Sequence, residues 1–204
     1  MGSSDHIPNA GSYFSSVLHS LAAVPAHEVD DIAEVIFRAY LENRTIFIFG
    51  NGGSAAAASH FACDLAKGTV QNGNRTRLRA VALTDNLAML TAWANDCGYE
   101  NVFAEQIRYL IQPNDVAFAI SCSGNSRNVL KALEIARLVG ARTVGLGGFD
   151  GGRMRFLCDE CLIVPSSNMQ VIEDIHLSIA HCVFTLVRNR IVESIDQKVI
   201  GANA

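Results

Sequence analysis

Charged side chains are scarce in this chain of 204 residues. Asp, Glu, Lys and Arg make up 18% of the sequence, the formal net charge is -4, and Lys and Arg never cluster in a run. A protein that follows a phosphate backbone needs clustered positive charge, so nucleic-acid binding is disfavoured. Half of the residues are hydrophobic, which is more than a monomer of this size needs. We expect the surplus to form a subunit interface.

Long apolar runs are also missing. The unbroken apolar stretches are shorter than the roughly 20 residues of a membrane-spanning helix. The first residues, MGSSDHIPNAGS, are polar and have no apolar core of the kind that a signal peptide carries. These features predict a cytoplasmic protein with no membrane partner.

The six cysteines follow no regular spacing. Several lie in segments with helix or strand character, which fits reduced, buried thiols better than a disulfide framework. Cys158 and Cys161 form one CxxC pair, but no second pair accompanies it and the motif runs directly into an apolar segment. The sequence alone therefore does not favour a redox or zinc role for this pair.

Five short apolar runs alternate with helical or loop sequence. Continuous rather than alternating hydrophobicity is typical of strands that are buried on both faces of a parallel sheet. The predicted strands are 45–50, 79–83, 115–121, 142–148 and 161–165. A chain of this length accommodates one α/β domain, and a second full domain is not expected.

Seven helices are predicted from apolar residues at helical spacing. The last helix is apolar on most faces and must therefore be covered on most faces. Together with the two N-terminal helices, it is predicted to pack subunits against one another. Residues 1–11 are predicted to be a flexible segment, and the polar residues 67–77 a mobile loop near the site. The predicted helices are 12–24, 27–42, 53–66, 85–95, 100–111, 125–139 and 170–193.

Two loops rich in glycine and serine follow the first and third predicted strands. GNGGS (50–54) and SCSGNS (121–126) each lead into a helix, whose unpaired first N–H groups and dipole favour an anion. Ligands of open parallel sheets bind at this edge. The alternative is that these residues only form turns and helix caps. Neither loop is a P-loop or a GxGxxG motif, so nucleotide binding is disfavoured.

Histidines and carboxylates share a helix at two places. His60 and Asp64 are four residues apart and therefore lie on one face. Glu173 and His181 are eight residues apart and differ by about 80° in direction. His176, one turn after Glu173, is a rival to His181. Pairs of this kind also occur as surface ion pairs or as hydrogen-bonded core histidines, so the spacing alone assigns no function.

Five segments taken together carry a resemblance to a known family: GNGGSAAAASHFACDL, AWANDCGYENVF, ISCSGNSRNVLKAL, GFDGGRM and VIEDIHLSIAHC. In this order they resemble the signatures of the sugar isomerase (SIS) domain family, in particular its phosphoheptose isomerase branch. The resemblance implies a single SIS domain over 1–204 and a flavodoxin-like α/β fold with a five-stranded parallel sheet flanked by helices. It also implies a homotetramer with shared active sites, which interconverts sedoheptulose 7-phosphate and a glycero-manno-heptose 7-phosphate.

The resemblance also implies roles for individual residues, carried over by position. The sugar would contact Asn51, Gly52, Gly53, Asn95 and Asp96. The phosphate would be surrounded by Ser121, Cys122, Ser123 and Ser126. Zinc would be held by His60, Asp64, Glu173 and His181. Within this quartet, Asp64 and His181 would carry protons, and Asp64 and Glu173 would also contact the substrate.

Two positions depart from the family pattern. Phosphoheptose isomerases carry Glu where this chain has Asp64, and Gln where it has Glu173. The shorter Asp withdraws a general base by roughly 1.5 Å, although two histidines and two carboxylates still suit zinc. A related branch, which binds the bacterial replication initiator, lacks the acid and the final histidine, so their presence favours an enzyme. The alternatives are a non-catalytic SIS protein that binds a phosphosugar or a protein partner, and an isomerase of another sugar phosphate.

Overall fold

The computed structural model describes residues 7–69 and 77–202, with residues 196–202 described by their backbone alone. Two helices, α1 (Ala10–Ala22) and α2 (Ala26–Leu41), precede the first strand. The side chain of Asn9 caps α1 by accepting a hydrogen bond of 3.0 Å from Ser12 N–H. Residues 10 and 11 are thus helical, whereas 1–6 of the expected flexible segment and 70–76 of the expected loop lie outside the described residues.

Five strands form one parallel sheet, as predicted. They are β1 (Thr45–Gly50), β2 (Arg79–Ala82), β3 (Val116–Ser121), β4 (Arg142–Gly147) and β5 (Glu160–Ile163). Their order across the sheet is β2-β1-β3-β4-β5, and every neighbouring pair is parallel. This is the flavodoxin-like order, in which ligands bind beyond the carboxyl ends of the strands where the order reverses. Here the reversal falls between β1 and β3.

The remaining helices cover the two faces of this sheet. They are α3 (Gly53–Gly68), α4 (Leu87–Cys97), α5 (Ala104–Leu110), α6 (Arg127–Val139) and α7 (Met169–Ala202). Two short 3₁₀ turns, Tyr99–Asn101 and Met154–Phe156, interrupt the connections. The predicted layering of a parallel sheet between helices is therefore confirmed.

Alternate residues of each central strand enter two separate hydrophobic cores. In β1, Ile46 and Ile48 face the core that α2, α3 and α7 cover. Phe47 and Phe49 face the opposite core, beneath α5 and α6. Because successive side chains of a strand point to opposite faces, a strand covered on both sides must be apolar at every position. The unbroken apolar runs in the sequence have this cause.

One predicted helix is divided in the structure. The segment 100–111 consists of the 3₁₀ turn Tyr99–Asn101 followed by α5. The two are separated by Val102 and Phe103, which are both buried, and Phe103 packs on Phe49 with 5.5 Å between ring centroids. The 3₁₀ turn brings both of these consecutive side chains into the core before α5 begins.

The last helix is longer than predicted, and its apolar character serves the core. Residues Met169–Ile195 are long and apolar enough to cross a membrane by length and composition, with a mean hydropathy of 1.2 over an 18-residue window. The same helix packs against α1, α2 and α3, and 44% of that window is buried within the chain. Core helices of globular proteins meet the same criteria, so we interpret α7 as a core helix.

The first helix leaves an apolar stripe uncovered. Phe14, Leu18 and Leu21 recur at helical spacing on α1 and are 63%, 67% and 40% exposed. The neighbouring Tyr13 is tied to α7 instead, because its hydroxyl donates a hydrogen bond of 2.6 Å to Asp174. The stripe has the character expected of a subunit contact, which remains a prediction.

A buried histidine joins α7 to the carboxyl end of β4. His176 is 1% exposed, and its Nε2 lies 2.9 Å from the carbonyl oxygen of Gly147. Since a carbonyl only accepts, Nε2 carries the proton, and Nδ1, which has no hydrogen-bond partner, is unprotonated. Burial lowers the pKa of His176 to about 4, so the ring is neutral near physiological pH.

We expect the free energy of unfolding to decrease as the pH falls from 6.5 to about 4, because His176 then binds a proton in the unfolded chain but not in the folded one. Above the unfolded value this contribution is fully present. His176→Gln keeps an N–H for Gly147 and does not titrate, so its stability should depend less on pH. Urea unfolding across this pH range measures both proteins, and identical pH dependence would contradict a neutral, buried His176.

Candidate active site

A small cavity lies where β1 and β3 end, at the reversal of strand order. Its volume is about 210 Å³. Six residues expected at the site line it, namely Asn51, Ser121, Cys122, Ser123, Ser126 and Glu173. Larger hollows exist, such as one of about 410 Å³ lined by Asp31, Glu34 and Arg142, but that hollow lies at the amino ends of the strands. The position at the carboxyl ends of the strands, rather than the volume, selects the smaller cavity.

The serine-rich loop forms one wall of this cavity. Ser126 is the N-cap residue of α6, yet its side chain makes no capping hydrogen bond. Its hydroxyl is therefore available to a ligand in front of the helix N-terminus, where an anion is favoured. Gly124 has a φ of +60°, and an added Cβ would lie 2.0 Å from the carbonyl oxygen of Gly151. Only glycine permits this packing of the loop.

The glycine-rich loop after β1 forms the opposite wall. Gly52 has a φ of +57° and acts as the N-cap of α3 without a side-chain hydrogen bond, and an added Cβ would meet nothing within 4 Å. The backbone is thus exposed to an approaching ligand. Asn51 is held beside it by reciprocal hydrogen bonds with Asn128, of 2.9 and 2.8 Å, and by Tyr99 Oη at 2.9 Å.

The carboxylate of Glu173 lies against the start of α3. An added Cβ at Gly53 would be 2.6 Å from both of its oxygens, so the absence of a side chain at Gly53 leaves room for this position of the carboxylate. Burial, followed by the charge of Glu173, raises the pKa of the Cys122 thiol. Cys122 is therefore a neutral thiol in the cavity wall.

A second cluster, formed by His60, Asp64 and His181, lies farther along the same two helices. The Nε2 atoms of His60 and His181 are 3.0 Å apart. One oxygen of Asp64 lies 3.3 Å from Nε2 of His60 and 3.8 Å from Nε2 of His181. The His60 and His181 side chains are half exposed, at 51% and 49%, so a ligand can reach them.

This cluster fits a metal ion. Among the described residues, His60, Asp64 and His181 are the group whose ligand atoms all lie within 4.8 Å of one another. Ligand atoms around tetrahedral zinc, each about 2.0–2.1 Å from the ion, are about 3.3 Å apart. The three observed separations of 3.0, 3.3 and 3.8 Å bracket that value. Glu173, expected as a fourth ligand, does not belong to this group.

Helices α3 and α7 connect the cavity with the cluster of His60, Asp64 and His181. Gly53 faces Glu173 at one end, and His60 faces His181 farther along. His60 lies seven positions after Gly53 and His181 lies eight after Glu173, so at 1.5 Å per residue the backbones of the two contacts are roughly 10–12 Å apart along the helix axes.

Three of the site residues considered from the sequence lie outside both the cavity and the histidine cluster. Asn95 and Asp96 are exposed on α4, where they hydrogen-bond to each other at 2.8 Å, and neither lines the cavity. His176, the rival to His181, is buried under β4 as described above. His181, by contrast, meets His60.

Four residues that line the cavity are not among the expected site residues, namely Ser54, Ile120, Phe149 and Met169. Ser54 and Ile120 are buried, whereas Phe149 and Met169 are about half exposed, at 46% and 50%. Phe149 has a φ of +52°, an unusual conformation for a bulky residue, which typically marks a turn or strain. Its place in the segment GFDGGRM signals a turn, but no residue pattern indicates that the ring faces the serine loop.

Known proteins resemble this chain in sequence. The sequence profile of the SIS domain matches residues 12–148. The phosphoheptose isomerase of a Nitratiruptor species is 43% identical over 153 residues, which are 75% of this chain and 81% of that protein. The phosphoheptose isomerase of Geobacter sulfurreducens is 42% identical over 175 residues, which are 86% of this chain and 92% of that protein.

Solved structures show the same relationship. The phosphoheptose isomerase of Neisseria gonorrhoeae superposes with a TM-score of 0.81 at 30% identity, covering 88% of this chain and 96% of that one. The enzyme of Francisella tularensis gives a TM-score of 0.82 at 30% identity, with the same coverage. The chain therefore belongs to the SIS domain family and, within it, to the phosphoheptose isomerases.

Proposed function

We propose that the protein is an aldose–ketose isomerase that converts sedoheptulose 7-phosphate into glycero-manno-heptose 7-phosphate through an enediol intermediate. The carrying observation is the pairing of α3 with α7, which brings a cluster of two histidines and a carboxylate onto the same two helices that border the serine-lined cavity. The relatives' name, phosphoheptose isomerase, agrees with this substrate class.

The phosphate binds at the N-terminus of α6. Ser121, Ser123 and Ser126 supply hydroxyl donors, and the helix start supplies N–H groups and a favourable dipole. Cys122 lines the same wall. Binding at this end fixes the far end of the sugar relative to α3 and α7.

The sugar lies along the loop at Asn51, Gly52 and Gly53. Glu173 faces this loop and accepts hydrogen bonds from sugar hydroxyls. Asn95 and Asp96 complete the sugar contacts only in the assembled oligomer, since neither side chain lines the cavity of a single chain. The shared active sites implied by the family resemblance supply that arrangement.

Asp64 acts as the general base and His181 as its partner. Asp64 removes a proton from C1, the carbon next to the C2 carbonyl, and delivers it to C2. His181 moves the proton between the two oxygens, so the enediol carries no full negative charge. A carboxylate 3.8 Å from the imidazole nitrogen is well placed to act on the adjacent carbon and oxygen of one substrate.

Zinc is the metal we propose for the cluster. His60, Asp64 and His181 would hold it, and Glu173 is the proposed fourth ligand carried over from the family. A bound zinc ion supplies Lewis-acid polarisation of the carbonyl oxygen. Glu173 would have to turn from Gly53 toward the cluster in order to bind the metal.

The protein acts in the cytoplasm. All six of its cysteines are free in the structure, which fits a reducing compartment.

Asp64→Asn tests the proposed base. The amide keeps the shape of the side chain but removes its basicity, and loss of a general base costs about 10²–10⁴-fold in rate. We expect turnover and solvent deuterium incorporation at C2 to fall together, measured by NMR with sedoheptulose 7-phosphate in D₂O. Zinc content is measured in parallel, because Asp64 is also a proposed ligand.

Asp64→Glu is the matched control, since it restores the longer carboxylate of the family and should retain or raise activity. An Asp64→Asn protein that exchanges and turns over like the unmodified chain would exclude Asp64 as the base. If the unmodified chain itself exchanges no proton of any phosphosugar, a non-catalytic phosphosugar-binding protein replaces the isomerase.

Ser123→Ala tests the phosphate site. Removal of one hydrogen bond to a charged group should weaken binding of the sugar phosphate by about 1 to 2 kcal/mol, whereas binding of unphosphorylated sedoheptulose should change little. Calorimetry with both ligands separates these effects. Ser178→Ala, on the exposed face of α7, is the control. Equal losses for both ligands would show that this loop does not bind the phosphate.

A homotetramer is the expected assembly, because Phe14, Leu18 and Leu21 leave an apolar stripe exposed on α1. Light scattering at micromolar concentration should give four times the chain mass. Leu18→Asp should shift the protein toward smaller species, whereas Glu42→Asp at an exposed polar position should not. A monomer mass for the unmodified protein would refute this assembly.

A further inference from the structure

The two cysteines of the CDEC segment meet in space. Cys161 lies in β5, where it pairs with Gly145 of β4, and Cys158 lies in the irregular segment just before β5. A Cβ added at Gly145 would be 2.9 Å from Sγ of Cys158 and 3.1 Å from Sγ of Cys161. Both sulfurs therefore occupy the space that a side chain at position 145 would fill.

The two thiols differ in their readiness to ionise. A hydrogen bond from Cys158 lowers the pKa of Cys161, and the nearby positive charge of Arg155 lowers it further. The same hydrogen bond, together with burial, raises the pKa of Cys158. Since the thiolate is the reactive form, Cys161 is the nucleophile of the pair and Cys158 is the thiol that can resolve its oxidation.

Metal binding does not explain this pair. The intervening Asp159 is already used, since one of its oxygens accepts hydrogen bonds from the backbone N–H and the hydroxyl of Thr143, at 2.8 and 3.0 Å. Within residues 7–69 and 77–195, the group found to match a metal site is His60, Asp64 and His181. Among these residues the CDEC pair therefore lacks a third ligand.

The segment before Cys158 leads directly to the serine-rich loop. The backbone N–H of Cys158 donates to the carbonyl of Met154 at 3.2 Å, and the N–H of Met154 donates to the carbonyl of Gly124 at 2.9 Å. Gly124 lies between Ser123 and Ser126. Two hydrogen bonds thus connect the CDEC pair with the candidate phosphate site.

We propose that Cys158 and Cys161 form a reversible disulfide on reaction with a hydroperoxide, and that this disulfide loosens the loop 121–126. The thiolate of Cys161 attacks the O–O bond, takes one oxygen as a sulfenic acid and releases an alkoxide or hydroxide, which is protonated. Cys158 then attacks the sulfenic sulfur and water leaves. Two thiols lose two electrons and two protons in total, and the hydroperoxide is reduced to an alcohol or water, with one further water formed.

The loop responds because the two sulfurs must approach to a bond length of about 2.05 Å, much closer than in a hydrogen bond. Cys161 is held in the sheet by its pairing with Gly145, so the movement falls on Cys158 and on the 3₁₀ turn at Met154. That movement strains the hydrogen bond to Gly124. The consequence for sugar-phosphate binding rests on the proposed function, whereas the disulfide and the loop movement do not.

The test begins with the reduced full-length protein and equimolar hydrogen peroxide, followed by alkylation and peptide mapping by mass spectrometry. We expect the peptide that contains both cysteines to lose two hydrogen atoms, to resist alkylation and to recover with dithiothreitol. The exposed Cys63, Cys97 and Cys182 serve as internal controls and should remain alkylated. The proposal is overturned if Cys158 and Cys161 are alkylated to the same extent with and without prior peroxide treatment.

Two single variants separate the roles of the sulfurs. Cys158→Ser should stop at a sulfenic acid on Cys161, which a cyclic 1,3-dione traps. In Cys161→Ser, peroxide should oxidise Cys158 more slowly than it oxidises Cys161 in Cys158→Ser, because Cys158 is the less ionised thiol. Equal rates for both variants would contradict the assignment of Cys161 as the nucleophile.

Hydrogen exchange of the loop tests the structural coupling without any sugar ligand. Backbone amides of 121–126 should exchange faster after oxidation of the unmodified protein and show no change in Cys158→Ser. A disulfide that forms with no change in this exchange would overturn the coupling. Because neither readout needs isomerase activity, failure here is distinguishable from failure of the proposed function.

Discussion

The close approach of α3 to α7 is the constraint on which both parts of the candidate site depend. Gly53, at the start of α3, leaves room for the carboxylate of Glu173, and Gly68, at its end, leaves room for the ring of Phe184. An added Cβ would come within 2.6 Å of Glu173 at the first position and 2.4 Å of Phe184 at the second. Between these two contacts His60 reaches His181. A side chain at Gly68 would meet the ring of Phe184, whereas one at Gly53 would displace the carboxylate of Glu173.

The sheet determines where α3 and α7 lie. With the order β2-β1-β3-β4-β5, the loops after β1 and β3 diverge at one edge and leave a crevice, as in other parallel sheets with a reversal of strand order. The loop after β1 continues into α3, and His176 fixes α7 to the end of β4 through Gly147. Both helices that carry the histidines are thus anchored to the same edge of the sheet.

Much of the fold was predictable because burial on both faces leaves a strong signal. The run Thr45–Gly50 matches the predicted strand at both ends, and the other strands differ by one or two residues, at ends where pairing stops. The helix 100–111 was predicted wrongly as one element, since apolar spacing alone does not register that Val102 and Phe103 are buried side by side. For the site, the loops at 50–54 and 121–126 were recognisable because glycine and serine cluster there between a buried strand and a helix. Phe149 was not, because its position depends on a turn that brings GFDGG back to the cavity.

Sequence by itself determined the α/β class, the parallel sheet, the two loops rich in glycine and serine and the shared face of His60 and Asp64, because these follow from periodicity and local geometry. Tertiary structure decided which distant residues meet. It separated His181, which contacts His60, from His176, which is buried against Gly147, although both are histidines of one helix. It left Asn95 and Asp96 outside the cavity, and it brought Cys158 and Cys161 together over Gly145. Spacing along a chain fixes the direction of a side chain on its own element, whereas the packing of the elements fixes what that side chain touches.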